Sequence, residues 1–194
     1  MYTFTLKNKK VAILTESGFE EMELTSPKKA LEDAGTTVHI ISMQEGKVKA
    51  WNHDHWSIEL PIDVNLKKAI SEEYDALVIP GGVINTDKMR LQNEYASFVQ
   101  EFIEAGKTVA AIGYGPQLLI ETLMINGKEI TSSPSLKTDM QNAGVNWIDK
   151  EVVVDEDIIT SRGPKDLPAF NAKLLQEIAE GDHRTRPSFV HHLN

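Results

Sequence analysis

The sequence predicts an open, doubly wound α/β sheet, mostly parallel and covered by helices on both faces. Three observations point there. Val11-Ala12-Ile13-Leu14, Val38-His39-Ile40-Ile41, Ala76–Ile79 and Val109-Ala110-Ala111-Ile112 are short apolar runs without polar alternation, the pattern of strands buried on both faces. Helical stretches lie between them, so the chain reads strand, helix, strand. Sharp glycine turns follow two of the runs, Pro80-Gly81-Gly82 and Gly113-Tyr114-Gly115-Pro116.

In order, the first run follows Lys7, Lys9 and Lys10 and reads as a strand. Thr25-Ser26-Pro27 offers a hydroxyl cap with proline in the first turn, so a helix should open there and close at Gly35, before the second strand. Residues 51–60 mix aromatics and histidines with alternating apolar positions, which suits a small hairpin outside the main sheet. The third and fourth strands flank a helix over 95–105 that Gly106 ends. Pro116 begins a helix to about Met124, and 135–143, with Gly144 beyond, forms a shorter one. Val152-Val153-Val154 and Ile158-Ile159-Thr160, split by Asp155-Glu156-Asp157, read as a late hairpin or a bent strand, and 167–179 is the closing helix. There is no internal repeat, low-complexity linker or second-domain signal.

At 194 residues the chain is sized for one domain, and 41% hydrophobic with 25% charged residues is ordinary for a globular protein. It has no cysteine, which excludes disulfides, thiolate metal sites and thiol nucleophiles. Its net charge of −9 disfavours nucleic acid and anionic membranes as partners. No apolar run approaches a membrane span, and the start lacks the layout of a signal peptide, so the expected location is cytoplasmic. No cofactor is called for.

In open parallel sheets, ligands bind beyond the carboxyl ends of the strands. The turns after Leu14, Ile79 and Ile112 are therefore the places to look. The segment around Gly113 has the strand, tight turn, helix form of a nucleophile elbow, whose reactive position would be Gly113 itself.

Several segments carry a family resemblance. They are Gly18-Phe19-Glu20-Glu21-Met22-Glu23 with Pro27, Tyr74-Asp75 running into Pro80-Gly81-Gly82, Gly115-Pro116-Gln117, Asp139-Met140 with Asn142-Ala143-Gly144, and Thr160-Ser161-Arg162 with Asp166-Leu167. In this order the sequence resembles the ThiJ/PfpI family, the superfamily of DJ-one and the intracellular proteases. The resemblance implies a flavodoxin-like, class I glutamine amidotransferase-like fold, one domain over 7–181 and a C-terminal tail over 182–194.

In that family the elbow reads Ala-x-Ile-Cys-His-Gly-Pro-Gln, whereas this chain has Gly113 and Tyr114 at the cysteine and histidine. Glycine supplies no attacking atom, and tyrosine is a poor base near neutral pH. By resemblance, Glu23 matches the acid that hydrogen-bonds the cysteine, and Glu20 is a second motif carboxylate. Asp87 matches the acid that orients the histidine from a neighbouring subunit, and the amides of Gly82 and Tyr114 stand at the oxyanion-binding positions. A homo-oligomer, a dimer or larger, follows from the same likeness.

Three functions are carried forward. The first is a non-catalytic, stress-related member whose elbow pocket takes a small carbonyl or anionic ligand. The second is a hydrolase or glyoxalase-like enzyme using Glu23 or Tyr114 as general acid or base. The third is a structural or chaperone-like oligomer subunit. Glu23, with no thiol beside it in an apolar elbow, should have its pKa raised. His53 and His55 would share one side of a strand, but no third ligand accompanies them, so no metal is assigned. Trp51 and Trp56 read as packing or interface residues, and Arg184, Arg186 and His191-His192 as parts of a mobile or partner-docked end.

Overall fold

Along each central strand alternate side chains enter opposite cores, which is why the apolar runs are unbroken. The computed structural model describes residues 5–181. Its strands are β1 (Lys10–Leu14), β2 (Phe19–Glu20), β3 (Thr37–Ser42), β4 (Lys47–Asn52), β5 (His55–Pro61), β6 (Val64–Asn65), β7 (Ala76–Ile79), β8 (Thr108–Ile112), β9 (Glu129–Ile130), β10 (Asn146–Trp147), β11 (Val152–Asp155) and β12 (Ile158–Ser161). The helices are α1 (Glu21–Asp33), α2 (Val83–Arg90), α3 (Asn93–Glu104), α4 (Pro116–Ile120), α5 (Lys137–Asn142) and α6 (Leu167–Glu180).

The central sheet runs β11-β12-β8-β7-β1-β3-β6, parallel throughout except for β11, which pairs antiparallel with β12. This is the doubly wound fold the sequence predicts. Val11, Ile13, Val78 and Ile112 pack under Leu24 and Leu31 of α1 and Phe170 and Leu174 of α6. Ala12, Leu14, Leu77 and Ile79 face the other way, against Tyr95, Val99 and Phe102 of α3 and Leu118 of α4. Each buried large apolar side chain contributes roughly 1.5–3 kcal/mol, so these two faces hold the sheet. Strands β2, β4 and β5 form a small separate sheet, with β4 and β5 as the expected hairpin. That hairpin starts earlier than expected, at Lys47.

Two expectations need correction, and one helix is unexpected. Helix α1 begins at Glu21, not at Thr25-Ser26, and holds Pro27 inside it. Pairing of β2 with β4, and the Glu20 amide donating to the Gly81 carbonyl at 3.2 Å, make Glu20 the last extended residue. The helix therefore starts at once, and Thr25 Oγ1 donates back to the Glu21 carbonyl instead of capping. Helix α4 stops at Ile120, short of Met124, and Leu123 beyond it has a left-handed φ of 60° that no α-helix can include. Helix α2 was not foreseen, because Val83-Ile84-Asn85-Thr86-Asp87 has neither a helical apolar period nor strong helix formers. The expected tail over 182–194, with its arginines and histidines, lies outside the described residues. Among the described residues no helix is long and apolar enough to cross a membrane.

Candidate functional site

From β1 the chain winds outward to β3 and β6, then returns to β7 and β8 on the other side of β1. The loops after β1 and β7 thus part at a topological switch point, the position where ligands bind in such sheets. A cavity of about 470 Å³ opens there. Glu20, Glu23, Gly82, Gly113 and Tyr114 all line it, so the structure gathers these residues into one place.

Asn85 on α2 fixes the turn after β7. Its Nδ2 donates to the carbonyls of Pro80 and Gly81 at 2.9 and 3.0 Å, while its Oδ1 accepts from the Glu16 amide at 2.6 Å and from Thr15 Oγ1 at 3.2 Å. One buried amide therefore ties the loop after β1 to the loop after β7. The Gly81 amide is left free to donate to Glu23 Oε2 at 2.9 Å.

Glu23 stands in the first turn of α1 and is only 3% exposed. Its Oε1 has no hydrogen-bond partner among the described residues. Burial pushes its carboxyl up to about 8; the Gly81 amide pulls the other way and neighbouring Glu20 adds to the rise. Desolvation wins, as expected for a carboxyl in an apolar elbow. Glu20, half-buried, is also raised, first by burial and then by Glu21, against the opposing effect of His53.

Gly113 adopts a φ of 63°, a conformation that only glycine takes without steric cost. A Cβ built there would stand 2.5 Å from each carboxyl oxygen of Glu23. A side chain at the elbow would therefore require the Glu23 carboxyl to shift. Gly81 is under the same constraint, since a Cβ on it would lie 2.3 Å from Glu23 Oε2 and 2.6 Å from the Tyr114 nitrogen. Tyr114 turns its hydroxyl to Ser135 Oγ at 2.7 Å, and Ser135 in turn meets Ser133 Oγ at 3.1 Å.

Asp87 is not brought in: it is exposed on α2 and does not line the cavity. The two histidines part company as well. His53 sits in the β4–β5 turn with a φ of 54° and lines the cavity, whereas His55 is exposed beside Asp54. No group of three metal-ligating side chains occurs among the described residues.

Sequence reasoning missed Arg162, Ser133 and the apolar wall of Val83 and Ile84, and read Trp51 as a packing or interface residue where the structure puts it on the cavity wall. Arg162 had a usable signal, since it follows the carboxyl end of β12. Its guanidinium is held by two carboxylates, bidentate to Asp166 at 2.8 and 3.0 Å and donating to Asp149 at 2.7 Å. A second cavity, of about 320 Å³, lies at the amino ends of the strands near Lys9 and Lys107. Its cations are satisfied, Lys9 by Asp75 at 2.9 Å and Lys107 by the Ser71 carbonyl at 2.9 Å, so it offers no free chemistry.

Residues 9–177 match the family model described as the DJ-1/PfpI family. The chain is 42% identical over 168 residues to putative cysteine protease YraA of Bacillus subtilis, covering 87% of this chain and 97% of that protein. It is 40% identical over 170 residues to protein/nucleic acid deglycase 2 of Escherichia coli, covering 87% and 97%, and 38% identical over 168 residues to general stress protein 18 of B. subtilis, covering 86% and 96%. Among solved structures, Drosophila melanogaster DJ-1beta superposes with a TM-score of 0.81 at 29% identity, over 90% of this chain and 92% of that one. A two-domain protein from Anabaena variabilis, with DJ-1/ThiJ/PfpI-like and ferritin-like domains, gives a TM-score of 0.83 at 38% identity; the match covers 93% of this chain and 52% of that one.

Proposed function

This chain belongs to the DJ-1/PfpI family, and we propose that within it the protein is a non-catalytic, stress-related member whose elbow cavity binds a small molecule. One observation carries the reading: the elbow position 113 is a glycine with a left-handed φ of 63° and no side chain, so no nucleophile stands there. On this reading Gly113 and Tyr114 replace the family's cysteine and histidine, and the amides of Gly82 and Tyr114 remain as hydrogen-bond donors to a ligand. Relatives named as a protease and a deglycase would then differ from this chain in chemistry while sharing its frame. The name of general stress protein 18 supports the stress-related part. The reading further makes the protein a cytoplasmic homodimer, a single family domain over 7–181 followed by the tail over 182–194.

A second reading, an enzyme that uses Glu23 as general acid or base, has one observation in its favour. Its carboxyl, pushed up to about 8, titrates near neutral pH, as such a group should. Turnover assays with glyoxals and with peptides decide between the two. The expected result is no turnover by the full chain, and a reactive thiol with measurable turnover in the double variant Gly113→Cys, Tyr114→His. Turnover by the unaltered chain that Glu23→Gln abolishes would replace the first reading with the second.

A further inference from the structure

We infer that the elbow cavity is built for a small organic cation, a primary ammonium group on a short apolar tail, held between Glu23 and Glu20; this rests on the non-catalytic reading and gives it a ligand class. Glu23 is more than nine-tenths buried and lines the cavity with one oxygen committed to the Gly81 amide and the other unpartnered among the described residues. A buried carboxyl with a vacant oxygen is costly unless something in the cavity meets it. Arg162, the one basic side chain on the wall besides His53, makes no hydrogen bond to it and spends three of its five N–H groups on Asp149 and Asp166, whose carboxylates offset its charge. Those two aspartates and Glu20 outnumber that single cation even before Glu23 ionises. An anion would therefore meet net repulsion here, which weighs against the anionic ligand expected from sequence. A carbonyl ligand could use the proton of Glu23 and the amides of Gly82 and Tyr114, but it would leave the Glu20 carboxylate unmet. An ammonium group carries three donors and can satisfy both carboxylates at once. The rings of Trp51 and Tyr114 and the side chains of Val83 and Ile84, on the same wall, suit the tail, and aromatic rings favour a nearby cation.

The proposal fixes the sign of a pH effect. Facing Glu23 are the Gly81 amide, Glu20 at the end of β2, His53 from the β4–β5 turn, Tyr114 at the elbow and Arg162, which is held by its two aspartates; Glu21 acts on Glu20. An ammonium group needs Glu23 ionised, so its binding expels a proton below about pH 8 and tightens as pH rises. Between pH 6 and 9 the gain is about ten- to a hundredfold, before amines themselves begin to lose their proton near pH 10. A ligand that accepts the proton of Glu23 would weaken over the same span.

The experiment is a titration of the full ¹⁵N-labelled chain with propylammonium, 1-butanol and butyrate, three probes of similar length. The amide signals of Gly81 and Gly113 are followed at pH 6 and 9. Propylammonium should saturate these signals at the lowest concentration, with affinity rising at least tenfold from pH 6 to 9. Glu23→Gln should remove that rise and lower the affinity at pH 9 at least tenfold, while Glu20→Gln lowers it several-fold and keeps the pH dependence. Should Glu23→Gln fail to fold, the wild-type pH profile together with Glu20→Gln decides. Stronger binding of butanol or butyrate overturns the cation and leaves the non-catalytic pocket standing. A flat or falling pH profile for propylammonium overturns it too, as does the absence of saturation by any probe. Turnover in the aldehyde and peptide assays would instead remove the non-catalytic reading, with the cation still judged on the binding result.

Discussion

Glu23 and Gly113 compete for one volume, and that competition gives two measurable consequences. When unfolded, Glu23 ionises near 4.5; when folded, near 8. Between those values the native state holds a proton that the unfolded state has lost, so stability falls as pH rises across the window and no penalty exists below it. Glu23→Gln, which keeps an acceptor for the Gly81 amide but has no charge to desolvate, should match the wild type in urea midpoint at pH 4. At pH 9 it should be more stable, by roughly 2–4 kcal/mol. A wild-type advantage at pH 9 would show that the carboxylate has found a partner. The second consequence concerns the elbow. Gly113→Ala forces a left-handed non-glycine residue against the Glu23 oxygens, 2.5 Å from the new Cβ, and should cost about 1–3 kcal/mol. Combined with Glu23→Ala the penalty should shrink, because only the backbone strain is left. Additive penalties in that double-mutant cycle would mean that the two sites do not share space.

At the scale of elements, the site depends on α2, the helix that sequence patterning did not reveal. Asn85 makes four buried hydrogen bonds from it to the loops after β1 and β7, and so holds Gly81 where its amide meets Glu23. Asn85→Ala strands the buried Glu16 amide and the Pro80 carbonyl, while the Gly81 carbonyl keeps the Glu20 amide, and should cost about 3 kcal/mol in denaturant unfolding. It should also lower the pH at which Glu23 titrates, since a loosened turn admits water; an unchanged titration would sink that coupling. The same contrast explains what the sequence could show. β1, β7 and β8 were legible because burial on both faces leaves an apolar run, and glycines at 81, 82 and 113 marked the turns that meet at the cavity. Residues 20, 23 and 114 were legible through motif likeness, and the structure brings them to one wall. What patterning could not give is set by tertiary contact. The start of α1 depends on β2 pairing with β4, and the end of α4 on a left-handed Leu123. Arg162 joins the wall because Asp149 and Asp166 fix its guanidinium from 13 and 4 residues away in the chain.

Whole-molecule organisation bears on the one site residue that the described chain leaves apart. Asp87 is exposed on α2, outside the cavity. The large apolar side chains that remain exposed include Met22 at the start of α1, Val83 at the start of α2, and Trp56 and Ile58 on β5. These elements flank the cavity. A monomer would leave them in water, whereas an interface between two copies would bury them. The expected species in sedimentation at micromolar concentration is therefore a dimer or larger. Trp56 is 43% exposed and makes an edge contact with Trp51, so Trp56→Glu should shift the population toward monomer without lowering the thermal midpoint of the dissociated chain. A wild-type protein that sediments as a single monomeric species would refute the homodimer. A Trp56→Glu variant that stays dimeric would instead move the interface away from the β4–β5 hairpin and toward the starts of α1 and α2.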